Sequence, residues 1–184
     1  MSWDDGHFDR FVADTTRMAR GELAGYGYPH VVFPYSPAAE MDCIAAVREM
    51  PGRLSQAGLD HELIPVAQLI AGVNVGDARR ELLALEEYQR LESDLADLRE
   101  GIIPRVARAC AARMRLKHAT APLILCRLGA LYPFGHISTL LDAIYQAGVR
   151  NTVAVAYPGT AEGNQLRFLG LVDPTGGYRG HVVT

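Results

Sequence analysis

The sequence predicts a three-layer α/β domain in which a mostly parallel sheet is flanked by helices. Short apolar runs at residues 30–35, 123–128 and 153–157 alternate with segments of helical periodicity. The last two runs are almost continuously apolar, as in parallel strands that are covered on both faces. A helical segment separates them, which predicts a right-handed βαβ unit. The length of 184 residues fits one domain over residues 1–184.

The first third of the chain predicts two helices and two strands. Phe8, Phe11 and Val12 recur at helical spacing, and Pro51-Gly52 is a typical helix stop. In order, we expect a helix at 8–23, a strand at 30–35, a helix at 40–50 and a strand at 63–70.

The middle of the chain predicts a long helical insertion at 77–118 that packs on one face of the sheet. Leu91 and Leu95 belong to an apolar stripe on a helix at 77–100. Gly101 and Pro104 are expected to break it, so that a second helix runs over 105–118.

The last third predicts a strand, a helix and three further strands. The expected bounds are a strand at 122–128, a helix at 138–146, and strands at 152–157, 166–172 and 178–183. A Gly-rich turn joins the last two strands, which we therefore expect to pair antiparallel at an edge.

Composition excludes several classes of protein. The net charge of -3 gives no general attraction to nucleic acid. All 18 basic residues except Lys117 are Arg, a residue that suits interfaces but also follows from a GC-rich genome. Three distant cysteines without a CxxC pair predict reduced, buried thiols and no zinc site. The first residues lack a signal-peptide pattern and no apolar run reaches about 20 residues, so we expect a cytoplasmic protein.

The known catalytic motifs are missing from the sequence. Lys117 is followed by His118 and has no glycines before it, which excludes an intact Walker A loop but not a P-loop-NTPase-like topology without one. Gly25-Tyr26-Gly27 precedes the first strand instead of following it. His61-Glu62 lacks the second His of a zinc protease. We therefore predict no catalytic residue, no cofactor and no metal.

Two helical surfaces are candidates for binding. One is a basic face that could contact DNA phosphates, formed by Arg105, Arg108, Arg113, Arg115 and Lys117. The interpretation that we favour is a solvated face that pairs with the acidic helix before it. The stripe of Leu91 and Leu95 could dock a partner helix or a second copy, or pack inside the protein.

Tyrosine and proline recur where apolar runs end. The corners are Pro34-Tyr35, Tyr132-Pro133 and Tyr157-Pro158-Gly159. Strand ends converge on one edge of a parallel sheet, so these corners predict an aromatic rim suited to protein contacts. Arg167 and Arg179 on the terminal strands are further candidates, or else edge charges that discourage aggregation.

The same motifs resemble those of the BrxB family of BREX bacteriophage-exclusion systems. They are the segments 32–37, 129–134, 157–159, 165–170 and 178–179. The resemblance implies a component of a multi-protein system that stops phage DNA replication and methylates host DNA, with no established enzymatic activity of its own. It also implies partners: a PglZ-like phosphatase-fold protein, a large AAA+ ATPase and a PglX-like methyltransferase. The family commonly has Arg after the 132–134 motif, whereas this chain has Gly135-His136. A contact that this Arg makes with a partner or ligand in the family would therefore be altered or lost here.

These observations predict a non-catalytic scaffold or adaptor in a phage-defence complex, acting by protein contacts. Two alternatives remain open: a DNA-binding accessory that uses the basic helix, and a nucleotide-dependent switch with an unorthodox site.

Overall fold

The computed structural model describes residues 3–23, 26–72, 88–132, 134–163, 165–169 and 180–184, and within 88–100 it describes the backbone alone. The helices α1 to α5 span Asp5–Ala19, Glu40–Gln56, Val66–Gly72, Tyr88–Met114 and Ile137–Gln146. The strands β1 to β6 span His30–Tyr35, Glu62–Pro65, Leu123–Cys126, Val153–Glu162, Gln165–Phe168 and His181–Val182. Two 3₁₀ turns span Pro37–Ala39 and Leu128–Leu131.

The strands form a sheet in the order β2-β3-β4-β1-β6, and each of these neighbouring pairs is parallel. Val155 of β4 lies opposite Val32 of β1 on one side and Leu125 of β3 on the other. The three apolar runs at 30–35, 123–128 and 153–157 are thus neighbours at the centre of one parallel sheet. This confirms the predicted fold class.

Each face of the sheet is covered by helices, which gives the predicted three layers. On β4, Val153, Val155 and Tyr157 belong to the core beneath α3, α4 and α5. Ala154 and Ala156 belong to the core beneath α1 and α2. This alternation with a period of two residues explains why the run is apolar throughout, since both of its faces are buried.

The first helix shows how local sequence sets an element. The Asp4 side chain accepts hydrogen bonds from the backbone N–H groups of Gly6 (2.9 Å) and His7 (3.3 Å), which caps the helix start. Phe8 and Phe11 are buried against the sheet. Gly21 follows the helix at φ 74°, a conformation that suits glycine. The helix therefore begins before the predicted residue 8 and ends at Ala19.

The predicted strand at 63–70 is wrong in its second half. Only Glu62–Pro65 is a strand, and Val66–Gly72 is a helix. Val66 and Ile70, four residues apart, are both buried in the core shared with α4. A short apolar run fits strand and helix equally, and helical burial decides it here.

The expected helix break near Gly101 and Pro104 is also wrong, because α4 continues through both residues. Ile102 and Ile103 before the proline and Val106 after it are buried in one core. Pro104 is exposed, so water can reach the carbonyl that loses its helical partner. The described part of the insertion packs on one face of the sheet as predicted, whereas residues 77–87 lie outside the described residues.

The two terminal strands do not pair with each other, which corrects the sequence prediction. β4 runs on through Pro158 and Gly159 to Glu162, and β5 pairs antiparallel with this extension. β6 instead lies at the edge of the sheet next to β1 and pairs with it in parallel. A Gly-rich segment fits an antiparallel hairpin and a longer connection to another strand alike, so the sequence pattern alone predicted the wrong strand pairing.

Candidate functional site at the carboxyl edge of the sheet

The carboxyl ends of the central strands meet at one edge of the sheet. Tyr35, the last residue of β1, lies opposite Pro158 of β4. On the other side of β4, β3 ends at Cys126 and leads into the 3₁₀ turn Leu128–Leu131, which contacts β4. Tyr132 follows this turn directly. The corners that end β1 and follow β3 therefore lie at one edge, beside the third corner, where β4 does not end but continues into its pairing with β5.

Tyr35 lies inside the protein at this edge. Its side chain belongs to the core beneath α1 and α2, and its hydroxyl donates a hydrogen bond to Oε2 of Glu40. Burial, together with the nearby Cys43 and Glu40, raises the pKa of Tyr35 far above its usual range. This tyrosine therefore stays protonated and fills the space between β1 and the start of α2.

The corner on β4 is buried as well. Tyr157 packs against Phe168 of β5, with ring centroids 5.7 Å apart, and both are in the core. Pro158 and Gly159 are buried too. A Cβ atom at Gly159 would lie 2.2 Å from the carbonyl oxygen of Arg167, so only glycine allows β5 to approach this closely. The predicted exposed aromatic rim is thus corrected for two of its three tyrosines, because they pack in the core.

The described exposed residues of the edge are of mixed character. Tyr132 is 49% exposed, and Met41 in the first turn of α2 is 75% exposed. Arg127 and His136 are exposed too, and Pro34 is half-buried. Pro133 lies outside the described residues. Tyrosine, methionine and arginine are enriched in the buried centres of protein interfaces, so this surface has the composition of a protein contact.

Nucleophilic chemistry is not favoured by the cysteines. Burial raises the pKa of Cys43 to about 12, with added effects of Glu40 and Cys126. Burial likewise raises the pKa of Cys110 to about 12 and that of Cys126 to about 11. All three are free, buried thiols, as predicted. A reactive cysteine needs a lowered pKa and access to solvent, and these have neither.

The turn after β1 is poorly suited to phosphate. A phosphate loop offers glycine N–H groups and a lysine. The 3₁₀ turn after β1 instead begins with Pro37 and contains no lysine. Glu40 and Asp42 lie in the first turn of α2, where their charges oppose those of a phosphate. In the ranges that the structure describes, no group of three or more His, Cys, Asp or Glu side chains could hold a metal ion. No helix there is long and apolar enough to cross a bilayer.

The basic residues of α4 and its C-terminal end divide into two sets. Arg113 forms an ion pair with Glu62 of β2 (3.3 Å), and Lys117 forms one with Asp60 (3.1 Å). Arg105, Arg108 and Arg115 are exposed and form no ion pair within the described part of the chain. They lie within about 80° of arc on one helix face at 100° per residue. Within the described residues, three members of the predicted basic face form no ion pair, and the other two pair with Asp60 and with Glu62 of β2.

The other candidates are placed only in part. Arg167 is exposed on β5, opposite Thr160 of β4. Leu91 and Leu95 lie on α4, but their side chains are outside the description, as is Arg179.

Sequence reasoning missed two features of the edge. Glu40 was not singled out, although it bonds the hydroxyl of Tyr35, because only the turn of the chain at 36–39 brings the two together. Arg127 was missed because no sequence pattern marks its unusual backbone conformation at φ 56°.

A known sequence family matches most of the chain. The sequence model described as BREX protein BrxB matches residues 70–183, more than half of the chain. The chain belongs to the BrxB family. A member of this family is a component of a BREX phage-defence system. The match begins in α3, so α1, β1 and α2 lie before it, while the hairpin of β4 and β5 lies within it. No curated protein and no solved structure matches the chain.

Proposed function

We propose that this BrxB-family protein is a non-catalytic scaffold or adaptor of a BREX complex, acting through protein–protein contacts. The observation that carries the proposal is the Tyr35–Glu40 hydrogen bond at the carboxyl edge of the sheet. It places a buried tyrosine and a carboxylate beside the strand ends where an α/β enzyme commonly binds its ligand. The exposed residues around it, Tyr132 and Met41, are typical of protein contacts.

The partners we propose are the other proteins of the same defence system. The PglZ-like protein, the AAA+ ATPase and the PglX-like methyltransferase are the candidates, together with a second copy of this chain. A specific interface buries roughly 1,200–2,000 Å² in total. The few exposed residues described at the carboxyl edge would hardly supply this area, so we expect a helical surface to extend the contact.

Co-purification tests the proposal directly. The tagged protein is expressed with its untagged defence operon, and the recovered proteins are identified by mass spectrometry. We expect at least one BREX protein in stoichiometric amount. Recovery of the tagged chain alone, from cells in which the operon proteins are present, would contradict the adaptor function.

The Leu stripe of α4 is tested in the same way. Leu91→Asp combined with Leu95→Asp should release the partner from a protein that is still folded, if the stripe is part of the contact. Circular dichroism and gel filtration show whether the variant is folded. An insoluble or unfolded variant would place the stripe in the core and exclude it from the interface.

A second function, as a DNA-binding accessory, is favoured by three exposed arginines that form no ion pair with any described residue. Phosphate contacts from Arg105, Arg108 and Arg115 would give binding that weakens as salt rises. Retention on duplex DNA at about 0.15 M salt, lost in Arg105→Glu with Arg108→Glu, would support it. Arg113→Glu is the matched control, since Arg113 already pairs with Glu62. Passage of the wild-type protein through the DNA column would exclude this function.

The alternative of a nucleotide-dependent switch has the weakest support. Glu40 and Asp42 in the first turn of α2 would repel a phosphate there. Titration calorimetry with ATP, GTP and Mg²⁺ should therefore give no heat beyond dilution, and micromolar binding would favour the switch over the adaptor.

A further inference from the structure

The backbone of Arg127 adopts a conformation that is costly for this residue. Its φ and ψ are 56° and 42°, in the left-handed region, at the point where β3 ends and the 3₁₀ turn begins. Cys126 before it is buried in the core beneath α1 and α2. Leu128 after it is buried in the core on the opposite face of the sheet. The left-handed residue turns the chain so that its two neighbours enter different cores.

The turn explains the backbone of Arg127 but not its side chain. Glycine, asparagine and aspartate adopt the left-handed backbone conformation readily, whereas a residue with a long side chain is strained in it. The guanidinium of Arg127 is exposed, and within the described part of the chain it makes no hydrogen bond or ion pair. Strained residues of this kind cluster at functional sites. No contact within the described part of the chain therefore explains why position 127 carries arginine.

We propose that Arg127 is a partner-binding residue that pairs with a carboxylate on the surface of another BREX protein. The inference rests on the proposed adaptor function and names the anchor of its contact. A guanidinium binds a carboxylate through two parallel hydrogen bonds, which fixes orientation as well as adding affinity. Arg127 lies at the carboxyl edge, five residues before the exposed Tyr132.

A protein carboxylate suits this position better than a phosphate. Glu40 lies in the first turn of α2, which follows β1 at the same edge of the sheet. Glu40 would weaken binding of a phosphate, which carries more charge than a carboxylate. The exposed Tyr132 supplies the aromatic contact area that commonly accompanies arginine at the centre of a protein interface.

Three variants separate the contact from the fold. Arg127→Gly removes the guanidinium and relieves the backbone, so its melting temperature should equal or exceed that of the wild type. Arg127→Ala removes the guanidinium but keeps the strain. Arg48→Ala is the matched control, because Arg48 is likewise an exposed arginine but lies on the regular helix α2.

The measurement is co-purification of the BREX proteins with each tagged variant, from nuclease-treated lysates, followed by titration of the recovered partner. We expect both Arg127 variants to bind at least about tenfold more weakly, and Arg48→Ala to bind within about twofold of wild type; tenfold corresponds to about 1.4 kcal/mol.

Undiminished binding by Arg127→Gly would overturn the inference and leave the adaptor function standing. A melting temperature of Arg127→Gly several degrees below wild type would overturn it as well, because arginine would then serve the fold. Loss of wild-type binding after nuclease treatment would assign the contact to nucleic acid instead, and recovery of no BREX protein by the wild type would contradict both proposals.

Discussion

The imidazole Nε2 of His7 lies 3.0 Å from the carbonyl oxygen of Val183 and takes the place of a missing backbone donor. The N–H of Val183 donates to the carbonyl of Val32 at 2.9 Å, within the parallel ladder of β6 and β1. In such a ladder the next bond would run from the N–H of residue 34 to the carbonyl of Val183. Residue 34 is proline and has no N–H. The side chain of α1 therefore completes a sheet that Pro34 interrupts.

Replacing His7 with phenylalanine should destabilise the protein by about 1 kcal/mol, the usual contribution of one hydrogen bond. The substitution keeps an aromatic ring against Phe33, whose centroid lies 4.9 Å from that of the imidazole. His7→Gln keeps a donor and should recover part of the loss. Urea denaturation measures the change. Equal stability of the Phe variant and the wild type would show that water replaces the imidazole at no cost.

The contacts between α1 and β6 show what sequence patterns can and cannot predict. His7, Arg10 and Asp14 are spaced three and four residues apart on α1, and all three contact β6 or the residues after it. Helical spacing predicts that they share a face. It does not predict what that face meets, because the pairing of β6 with β1 joins segments about 150 residues apart in the chain.

The central sheet was predictable for the opposite reason. Continuous apolar runs such as the one containing Val153 and Val155 report burial on both faces, which is a local property of the sequence. The candidate edge was predictable only as a place where strands end. Whether Tyr35 or Tyr132 is exposed there depends on the helices that cover each strand end. The residue type, which is the same at both positions, does not predict which of the two is covered.

Replacing Gly159 with alanine should destabilise the protein by about 1–3 kcal/mol, as overpacking in a buried site does. The new Cβ would lie 2.2 Å from the carbonyl oxygen of Arg167 and 2.7 Å from Cε1 of Tyr157. Backbone on one side leaves little room to adjust. The control is Gly52→Ala in α2, where a Cβ meets nothing within 4 Å and helix propensity predicts a small gain in stability. Thermal denaturation of both variants checks the difference, which would be absent if β5 could simply shift.

Replacing His181 with leucine should cost about 1–3 kcal/mol, because it leaves a nearly buried acceptor without its closest partner. Nε2 of His181 lies 2.7 Å from Oδ2 of Asp14, whose side chain is only 11% exposed. Arg17 then remains at 3.4 Å from the other oxygen. Asp9→Ala is the matched control: it breaks a 2.6 Å pair with Arg53 at a 63% exposed carboxylate, and such surface pairs contribute at most about 1 kcal/mol. Similar losses in guanidinium denaturation would mean that burial of the His181–Asp14 pair has no energetic consequence.

Acid should destabilise the protein partly through His30. Burial lowers the pKa of His30 from 6.5 to about 4, because the folded state disfavours the charged imidazolium. Below pH 6.5 the unfolded chain takes up a proton that the folded protein does not, so the free energy of unfolding falls as pH drops from 6.5 towards 4. A shift of this size corresponds to a loss on the order of 3 kcal/mol at the acid end of that window.

The contribution of His30 is measured by urea denaturation at several pH values between 4 and 6.5. Because His30 stacks on Tyr28, with ring centroids 5.4 Å apart, His30→Phe keeps the ring but cannot be protonated. The slope of unfolding free energy against pH should be shallower in His30→Phe than in the wild type. His136→Gln serves as the control, because it removes an imidazole at an exposed position. If His30→Phe retains the full acid sensitivity, other groups bind the proton and burial of His30 does not set the acid limit of the fold.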